Sequence, residues 1–251
     1  MSVAPSLSAP KKNVKEIRIL HQPGFVLHSY PYKETSLIVD IFSREYGRVS
    51  LVAKGAKRPT SALRSVLQTF QPLSISWTGK TEVRTLTTAE WVGGMLPLEK
   101  SALLCGFYLN ELLVKFLLRE EVNTVLFDLY VSTLNQLAHN ENAAIVLRKF
   151  ELILLQQAGF IGDLGYCVQS RERILIDHYY VIDPTRGVRP FVSGEGLPQV
   201  LGKTLFDMSV GDYNDPVTQL QSKQLMRYLL SFHLHGIPLN TRQILIDLQK
   251  L

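Results

Sequence analysis

The sequence contains few cysteines and no long apolar run, and these absences exclude several classes of protein. Cys105 and Cys167 are the only cysteines in 251 residues, which does not fit a disulfide-stapled scaffold and fits a reducing compartment. No stretch reaches the roughly 20 apolar residues that a membrane helix needs, so we expect a cytoplasmic protein. Residues 1–16 lack the apolar segment of a signal peptide and predict a flexible basic tail.

The sequence also lacks the motifs that usually mark catalysis, such as G-x-S-x-G or D-x-D. Thr78-Gly79-Lys80-Thr81 ends like a phosphate-binding loop, but that motif requires a glycine at position 74, where this chain has a serine. His233 and His235 would point to different faces of a helix. We therefore expect no catalytic residue, no metal ligand and no cofactor, and a protein that is not an enzyme.

Positive charge is concentrated in the first third of the chain. Residues 1–93 carry 13 Lys and Arg against 6 Asp and Glu, a net charge of +7, whereas residues 94–251 carry 14 against 16, a net charge of −2. A basic domain attracts polyanions, because neutralised phosphates release their counterions. The asymmetry indicates a nucleic acid as partner, with a basic face that only keeps the protein soluble as the alternative.

Residues 17–93 show short runs of alternating apolar and polar side chains, a pattern typical of β-strands. Five strands are predicted, at Phe25–Tyr30 or Ile17–Tyr30, Ser36–Ser43, Arg48–Lys54, Leu73–Thr78 and Val83–Ala89, with a short helix at Ala62–Leu67. Five strands with a helix between the third and fourth indicate an OB-fold, a small barrel that commonly binds oligonucleotides. Another small barrel is the alternative.

After Gly93-Gly94 the apolar residues recur at helical spacing, and we place the domain boundary there. Helices are predicted at Glu99–Glu121, Thr124–Ala138, Ala143–Ala158 and Pro216–His235, with a last one capped by Asn240 or Thr241. Residues 159–215 are an irregular insertion, with a hairpin of residues 174–176 against 179–182 and a short helix at Leu197–Met208. The predicted class is α+β: an OB-fold over residues 17–93, then a mainly α-helical domain over residues 94–251 with a small β-hairpin insertion.

Basic and aromatic residues are interleaved in the predicted barrel, as in proteins that bind single strands, where cations follow the phosphates and exposed rings stack on bases. The predicted DNA-binding residues are Arg44, Arg48, Lys54, Lys57, Arg58, Arg64, Lys80 and Arg84, with Tyr30, Tyr32 and Tyr46 beside turns. The alternative for the aromatic rings is barrel core, which we expect for at least half of them and for Trp77 especially.

The helical part contains a second basic segment, Leu147-Arg148-Lys149-Phe150-Glu151. A hydrophobic groove rimmed by Arg and Lys suits a peptide that ends in aromatic residues and carboxylates. Arg148, Lys149 and Phe150 are therefore candidate partner-binding residues. A solvated helix face is the alternative.

Several segments of the chain resemble the RecO family of bacterial recombination mediators. They are Gly24–Leu27, Glu34–Leu37, Phe42–Arg48, Val52–Lys57, Tyr108–Leu113, Leu147–Glu151 and Pro238–Arg242. The early block, with Glu34-Thr35-Ser36-Leu37 and the pattern G-R-V-x-L-V-A-K-G-A, is specific for the family, and the C-terminal block is looser. The resemblance covers the chain from Gly24 to its C-terminus.

The resemblance implies an OB-fold that binds single- and double-stranded DNA and anneals complementary strands in repair and recombination after DNA damage. It implies RecR, single-strand binding protein and, indirectly, RecA as partners, and association with the nucleoid. It also makes the Arg148 neighbourhood a docking site for the acidic tail of single-strand binding protein. Many relatives hold zinc with four cysteines after the third long helix, but Cys167 is followed by no further cysteine, so we predict no zinc.

Three functions follow from these observations. The first is a non-enzymatic DNA-binding mediator, which we expect. The second is an RNA-binding OB-fold protein, because both polymers present phosphates and stackable bases. The third is a protein-interaction scaffold without direct nucleic-acid binding.

Overall fold

The computed structural model describes residues 17–241 and 243–244, so the tail expected at residues 1–16 lies outside the described residues. It confirms the α+β class, because a closed five-stranded barrel precedes a helical domain that carries a small sheet. Within the described ranges, no helix is both long and apolar enough to cross a membrane.

The barrel is closed by strands in the order β1, β2, β3, β5, β4. Their bounds are Arg18–Tyr32 for β1, Ser36–Ser43 for β2, Gly47–Ala53 for β3, Leu73–Thr78 for β4 and Val83–Trp91 for β5, with helix α1 at Ala62–Val66. This is the predicted OB-fold arrangement, and β1 takes the longer of its two predicted extents. The residues around Lys80 form the turn between β4 and β5.

Alternation along the strands decides which side chains fill the barrel. Val49, Leu51 and Ala53 of β3 are buried inside it, as predicted, together with Trp77 of β4. Leu67, just after α1, belongs to the same core. Because Trp77 is fully buried, its ring is not available to stack on a base.

The helical domain contains five helices with complete described bounds. They are α2 at Lys100–Phe116, α3 at Thr124–Ala138, α4 at Ala143–Gln157, α5 at Gly202–Val210 and α6 at Pro216–His233. Helices α3, α4 and α6 begin at Asn123, Asn142 and Asp215, whose side chains accept hydrogen bonds from the first turn. Asn240 and Thr241 begin a further helix, most of which lies outside the described residues.

The prediction that α2 continues to Glu121 is wrong, because the chain after Phe116 is extended and binds the barrel. Strands β3 and β5 are parallel, but β5 begins only opposite Ser50, which leaves the start of β3 without a strand on that side. The N–H of Glu120 donates there to the carbonyl of Arg48 at 2.9 Å. The segment between α2 and α3 therefore closes a seam in the barrel.

The predicted hairpin of residues 174–176 against 179–182 is also wrong. Strand β6 at Tyr179–Asp183 pairs instead with β7 at Gly187–Pro190. The turn between β6 and β7 favours this pairing. The Asp183 carboxylate accepts hydrogen bonds from the N–H groups of Thr185 and Arg186, and Gly187 adopts the φ of +76° with which the chain enters β7.

The predicted helix at Leu197–Met208 begins later than expected. Val200 and Leu201 form a short strand, β8, that pairs with the start of β6. Helix α5 therefore starts only at Gly202 and continues to Val210. The apolar residues of this segment show the core-facing positions, but they do not reveal a strand of two residues.

The helical domain packs against the outer face of β1 and β2. Phe25, Leu27 and Phe42 point out of the barrel, yet each is at most 3% exposed, because they share one core with the helices. The rings of Phe127 and Tyr130 from α3 contact them edge-on or tilted. Burial of an apolar side chain of this size contributes about 1.5–3 kcal/mol, so this contact fixes the two domains to each other.

A buried chain of hydrogen bonds crosses the same contact. Strand β1 has an irregularity between Val26 and His28, and the side chain of Asn110 from α2 donates to the carbonyl of Leu27 at 2.9 Å. The Tyr130 hydroxyl donates to the Asn110 side-chain oxygen at 2.6 Å. Burial raises the pKa of Tyr130, so its hydroxyl remains a donor.

We predict that Tyr130→Phe lowers the free energy of unfolding by about 1–3 kcal/mol, because it leaves the buried Asn110 oxygen without its donor. Urea denaturation measures the loss. Tyr179→Phe is the matched control, since that ring is half exposed, and it should unfold at the wild-type midpoint. A Tyr130→Phe midpoint equal to that of the control would show that this chain of hydrogen bonds does not stabilise the fold.

Candidate nucleic-acid interface

The turn after β1 and the loop after β3 lie side by side at one end of the barrel. The N–H of Lys57 donates to the carbonyl of Thr35 at 2.9 Å, which joins them directly. The strand register pairs Leu37 with Ala53 and Ser36 with Tyr32. Lys54, the next residue after Ala53, is therefore placed beside the tip of the β1–β2 hairpin.

The exposed basic and aromatic residues at this end form what we call the basic rim. Its members are Tyr30, Tyr32, Lys33, Lys54, Lys57, Arg58 and, on α1 directly after the loop, Arg64. The five cations make no ion pair with any residue that the structure describes. Their charge therefore faces solvent and is not neutralised within that part of the chain.

The two tyrosines of the basic rim are partly exposed, and the Tyr30 ring stacks on His28 with centroids 6.0 Å apart. Tyr30 and Tyr32 are each 37% exposed, and the ammonium of Lys33 lies 5.4 Å from the centroid of the Tyr32 ring. Lys33 is not among the DNA-binding residues predicted from the sequence. Its position in the turn directly after Tyr32 is the signal by which it could have been predicted. A nucleotide at this point would meet a ring and a cation together.

Other predicted cations are held by carboxylates of the helical domain. Arg44 donates two hydrogen bonds to Asp128 on α3, at 3.0 and 2.9 Å. Arg84 donates to Glu120, in the segment between α2 and α3, at 2.7 Å. These ion pairs join the barrel to the helical domain. The positive charges of the two arginines are therefore compensated by carboxylates, unlike those of the basic rim.

Arg48, Lys80 and Tyr46 also lie apart from the basic rim. Arg48 donates to the carbonyl of Val114 at 3.0 Å, and burial lowers its pKa. Tyr46 rests edge-on against Trp77, with ring centroids 5.2 Å apart. The backbones of Tyr46 and Arg48 lie toward the other end of β3, about 20 Å from Lys54 at the usual rise per residue, although the Arg48 guanidinium is near enough to Tyr30 to interact with it electrostatically. Lys80 lies in the turn between β4 and β5.

The structure thus brings six of the eleven predicted DNA-binding residues to one end and separates five from them. The six are Tyr30, Tyr32, Lys54, Lys57, Arg58 and Arg64, and the five are Arg44, Tyr46, Arg48, Lys80 and Arg84. Sequence spacing showed that all eleven belong to the barrel. It did not show which of them meet carboxylates from α3 and from the segment before it.

A groove of about 620 Å³ opens in the helical domain between α2, α4, α6 and the segment after α6. Its apolar lining includes Leu147, Leu230, Leu234, Ile237, Pro238 and Leu239, and its cations are Arg148, Lys223 and Arg227. Of the three predicted partner-binding residues only Arg148 lines it. Phe150 is fully buried behind it, and Lys149 points toward Gly211.

The three cations of the groove differ in their surroundings. Arg148 is paired with Glu151, a buried carboxylate that also accepts a hydrogen bond from the Tyr108 hydroxyl at 2.6 Å. Lys223 and Arg227 are exposed, lie one turn apart on α6 and have no ion pair with a described residue. An anionic segment would therefore meet the charges of α6 first, which sequence reasoning missed because nothing links them to Arg148 along the chain.

The segment after α4 that contains Cys167 is the place where the resemblance raised the question of a zinc site. Among residues 17–241 and 243–244, no group of three His, Cys, Asp or Glu side chains could hold a metal ion. The N–H of Cys167 donates instead to the carbonyl of Glu172 at 2.9 Å. Cys167 and Leu164 are buried, so packing and backbone hydrogen bonds order this turn.

Taken together, the barrel, the basic rim and the groove define an OB-fold protein with a helical domain that carries a groove. The family model described as Recombination protein O N terminal matches residues 17–95, and that described as Recombination protein O C terminal matches residues 99–243. The chain therefore belongs to the RecO family.

Relatives of similar length carry the name DNA repair protein RecO. The protein of Ralstonia nicotianae is 58% identical over 250 residues, which cover 97% of this chain and 92% of the relative. That of Polynucleobacter necessarius is 55% identical over 241 residues, covering 94% and 99%. That of Cupriavidus metallidurans is 51% identical over 262 residues, covering 100% and 88%.

The Arg44 hydrogen bonds hold the pKa of Asp128 below its usual range, and we predict that Arg44→Ala raises it toward the usual value of about 3.9. A lowered pKa means that this contact stabilises the fold above the unfolded-state pKa and that the contribution is lost as the pH falls through the folded-state pKa. NMR titration of the carboxyl carbon measures both values. Lys57→Ala removes a cation of the basic rim and should leave the Asp128 titration in place; a shift there would argue for a general field effect.

Proposed function

We propose that this chain is a non-enzymatic DNA-binding recombination mediator in DNA repair. In this proposal it anneals complementary strands and, with RecR, assists the loading of RecA onto single-stranded DNA coated with single-strand binding protein. It acts in the cytoplasm, associated with the nucleoid. Membership of the RecO family and the DNA repair name of the relatives support the biological setting, and the roles of RecR and RecA rest on the family alone.

The observation that carries the DNA-binding part of the proposal is the basic rim. Five exposed cations without an acidic partner among the described residues lie beside two exposed tyrosines. Cations that contact phosphates provide affinity for any sequence, and each base stacked on a ring adds about 1–3 kcal/mol. A surface of this composition suits a single strand and also the backbone of a duplex.

Annealing follows from the same physics. Two complementary strands repel each other through their phosphates, and a surface of lysines and arginines offsets that repulsion. Contacts to phosphate position a strand without reading its bases, so the base edges stay free to pair with a second strand. This role requires no bond to be made or broken, and the proposal assigns no catalytic residue and no cofactor.

The groove of the helical domain suits the acidic tail of single-strand binding protein. An apolar cleft lined by Leu147, Leu230 and Leu234 can bury an aromatic side chain, while Arg148, Lys223 and Arg227 face its carboxylates. Because the groove lies in the helical domain and the basic rim in the barrel, tail and DNA need not compete for one surface.

We predict that replacing Lys54, Lys57 and Arg58 with alanine weakens binding to an oligothymidine by about tenfold or more. Three lost phosphate contacts, each worth about 0.7–0.9 in the slope of log K against log salt, flatten that slope by about 2–3. Fluorescence anisotropy over a salt series measures both quantities.

The control for this variant removes the same charge elsewhere, by changing the exposed Arg171, Arg173 and Arg186 of the insertion to alanine. It should keep at least most of the wild-type affinity and slope. Equal losses in the two variants would mean that net charge, and not the basic rim, binds DNA. Tighter binding of wild-type protein to a matched RNA strand would favour an RNA-binding function, and no binding to either in low salt would favour the scaffold.

For the groove, we predict that Lys223→Ala with Arg227→Ala weakens binding of a synthetic acidic peptide ending in phenylalanine by at least about tenfold, since each charge-assisted hydrogen bond contributes about 1.5–3 kcal/mol. Isothermal titration calorimetry gives the Kd. Lys149→Ala removes a cation that does not line the groove and should bind as wild type does. A loss with Lys149→Ala and none with the α6 variant would move the peptide to the other side of α4.

A further inference from the structure

One wall of the groove is a short segment that has little packing of its own. Residues Gly236–Leu239 follow α6 and precede the helix that Asn240 begins. Ile237 and Pro238 are exposed, and Leu239 is the residue of this stretch that packs into the core. Yet Ile237, Pro238 and Leu239 all line the groove, so its width depends on what holds this segment in place.

Besides the packing of Leu239, a side chain of α2 holds the end of this segment. The carboxylate of Glu111 accepts hydrogen bonds from the N–H of Asn240 at 2.8 Å and from the N–H and hydroxyl of Thr241 at 2.9 and 2.8 Å. A carboxylate at the first turn of a helix satisfies N–H groups that have no partner within the helix and meets the positive end of its dipole. The side chain of Glu111 is only 12% exposed, so water competes poorly for these bonds.

Glu111 also links the wall to the opposite side of the groove. It lies one turn after Tyr108 on the same face of α2, and Tyr108 lines the groove and donates to Glu151, the partner of Arg148. One face of α2 therefore sets the position of the Arg148 side through Tyr108 and of the Leu239 side through Glu111.

We propose that Glu111 is a positioning residue for peptide binding, which holds the wall Ile237–Leu239 at the distance from α4 that an aromatic and acidic peptide end requires. This rests on the proposed function of the groove. Glu111 does not contact the peptide, and its role is exerted through Asn240 and Thr241.

The first test is Glu111→Gln, which keeps the size of the side chain but turns one acceptor oxygen into a donor that faces another donor. A fluorescein-labelled peptide of aspartates ending in phenylalanine with a free carboxylate is the probe, and anisotropy gives its Kd. We expect binding to weaken about tenfold, in line with the loss of a charge-assisted hydrogen bond. Affinity for an oligothymidine should not change, and amide exchange at Asn240 and Thr241 should accelerate.

A second pair of variants acts from the other side of the contact and keeps the test valid if Glu111→Gln does not fold. Thr241→Val removes one of the three hydrogen bonds and should weaken peptide binding by a smaller factor, whereas Thr241→Ser keeps the hydroxyl and should bind as wild type does. In the double variant, Thr241→Val should add little to the loss from Glu111→Gln, because both changes break the same contact.

The outcomes separate this inference from the function on which it rests. If wild-type protein does not bind the peptide, the peptide groove and the role of Glu111 are both rejected. If wild type binds and Glu111→Gln and Thr241→Val bind equally well, Glu111 has no positioning role and the groove stands. If DNA affinity falls together with peptide affinity, the cap stabilises the whole domain and does not position this wall, which also overturns the inference.

Discussion

The packing of α2 and α3 against the outer face of β1 and β2 is the constraint on which the arrangement of this molecule depends. Phe25, Leu27 and Phe42 turn away from the barrel core and are buried by the helices instead. The barrel has an interior core of its own, which includes Trp77. The outer face of β1 and β2 belongs to a second core that is shared with the helical domain, so this face is not available to a ligand. The end of the barrel where the β1–β2 turn meets the loop after β3 lies beyond this contact and is exposed to solvent.

The same contact divides the charge of the protein into two kinds. Arg44 and Arg84 are paired with Asp128 and Glu120 of the helical side. Arg48 donates to the carbonyl of Val114 and also lies 3.9 Å from the Asp40 carboxylate of the barrel, so these cations act as structural contacts. The five cations of the basic rim have no ion pair among the residues that the structure describes, so positive charge is concentrated at that end of the barrel. A polyanion would be attracted to that end by its uncompensated charge.

The barrel was well predicted because its signals are local. Alternation along β3 identified Val49, Leu51 and Ala53 as core, and the resemblance pointed to the same fold.

Contacts between distant segments were not predictable in this way. No sequence pattern near Arg44 predicts its ion pair with Asp128. Likewise, no pattern near Arg148 predicts that Lys223 and Arg227 line the same groove. The end of α2 was misplaced for a similar reason, since the residues after Phe116 have helical spacing but their backbone is required by the edge of β3. Exposure of a cation is a property of the assembled surface, and single-chain patterns give only its position along the chain.

The seam in the barrel has a consequence for synthesis of the protein. Strand β3 obtains a backbone partner from Glu120, and Phe42 obtains its cover from Phe127 and Tyr130, all of which leave the ribosome well after the barrel strands. At elongation rates of about 5–20 residues per second, the barrel strands are complete on the order of seconds before α3 is made. In that time the start of β3 lacks its backbone partner and the outward-facing apolar side chains of β1 and β2 are exposed. During that interval the first residues of β3 present an unpaired backbone edge, the kind of edge through which β-strands of different chains associate.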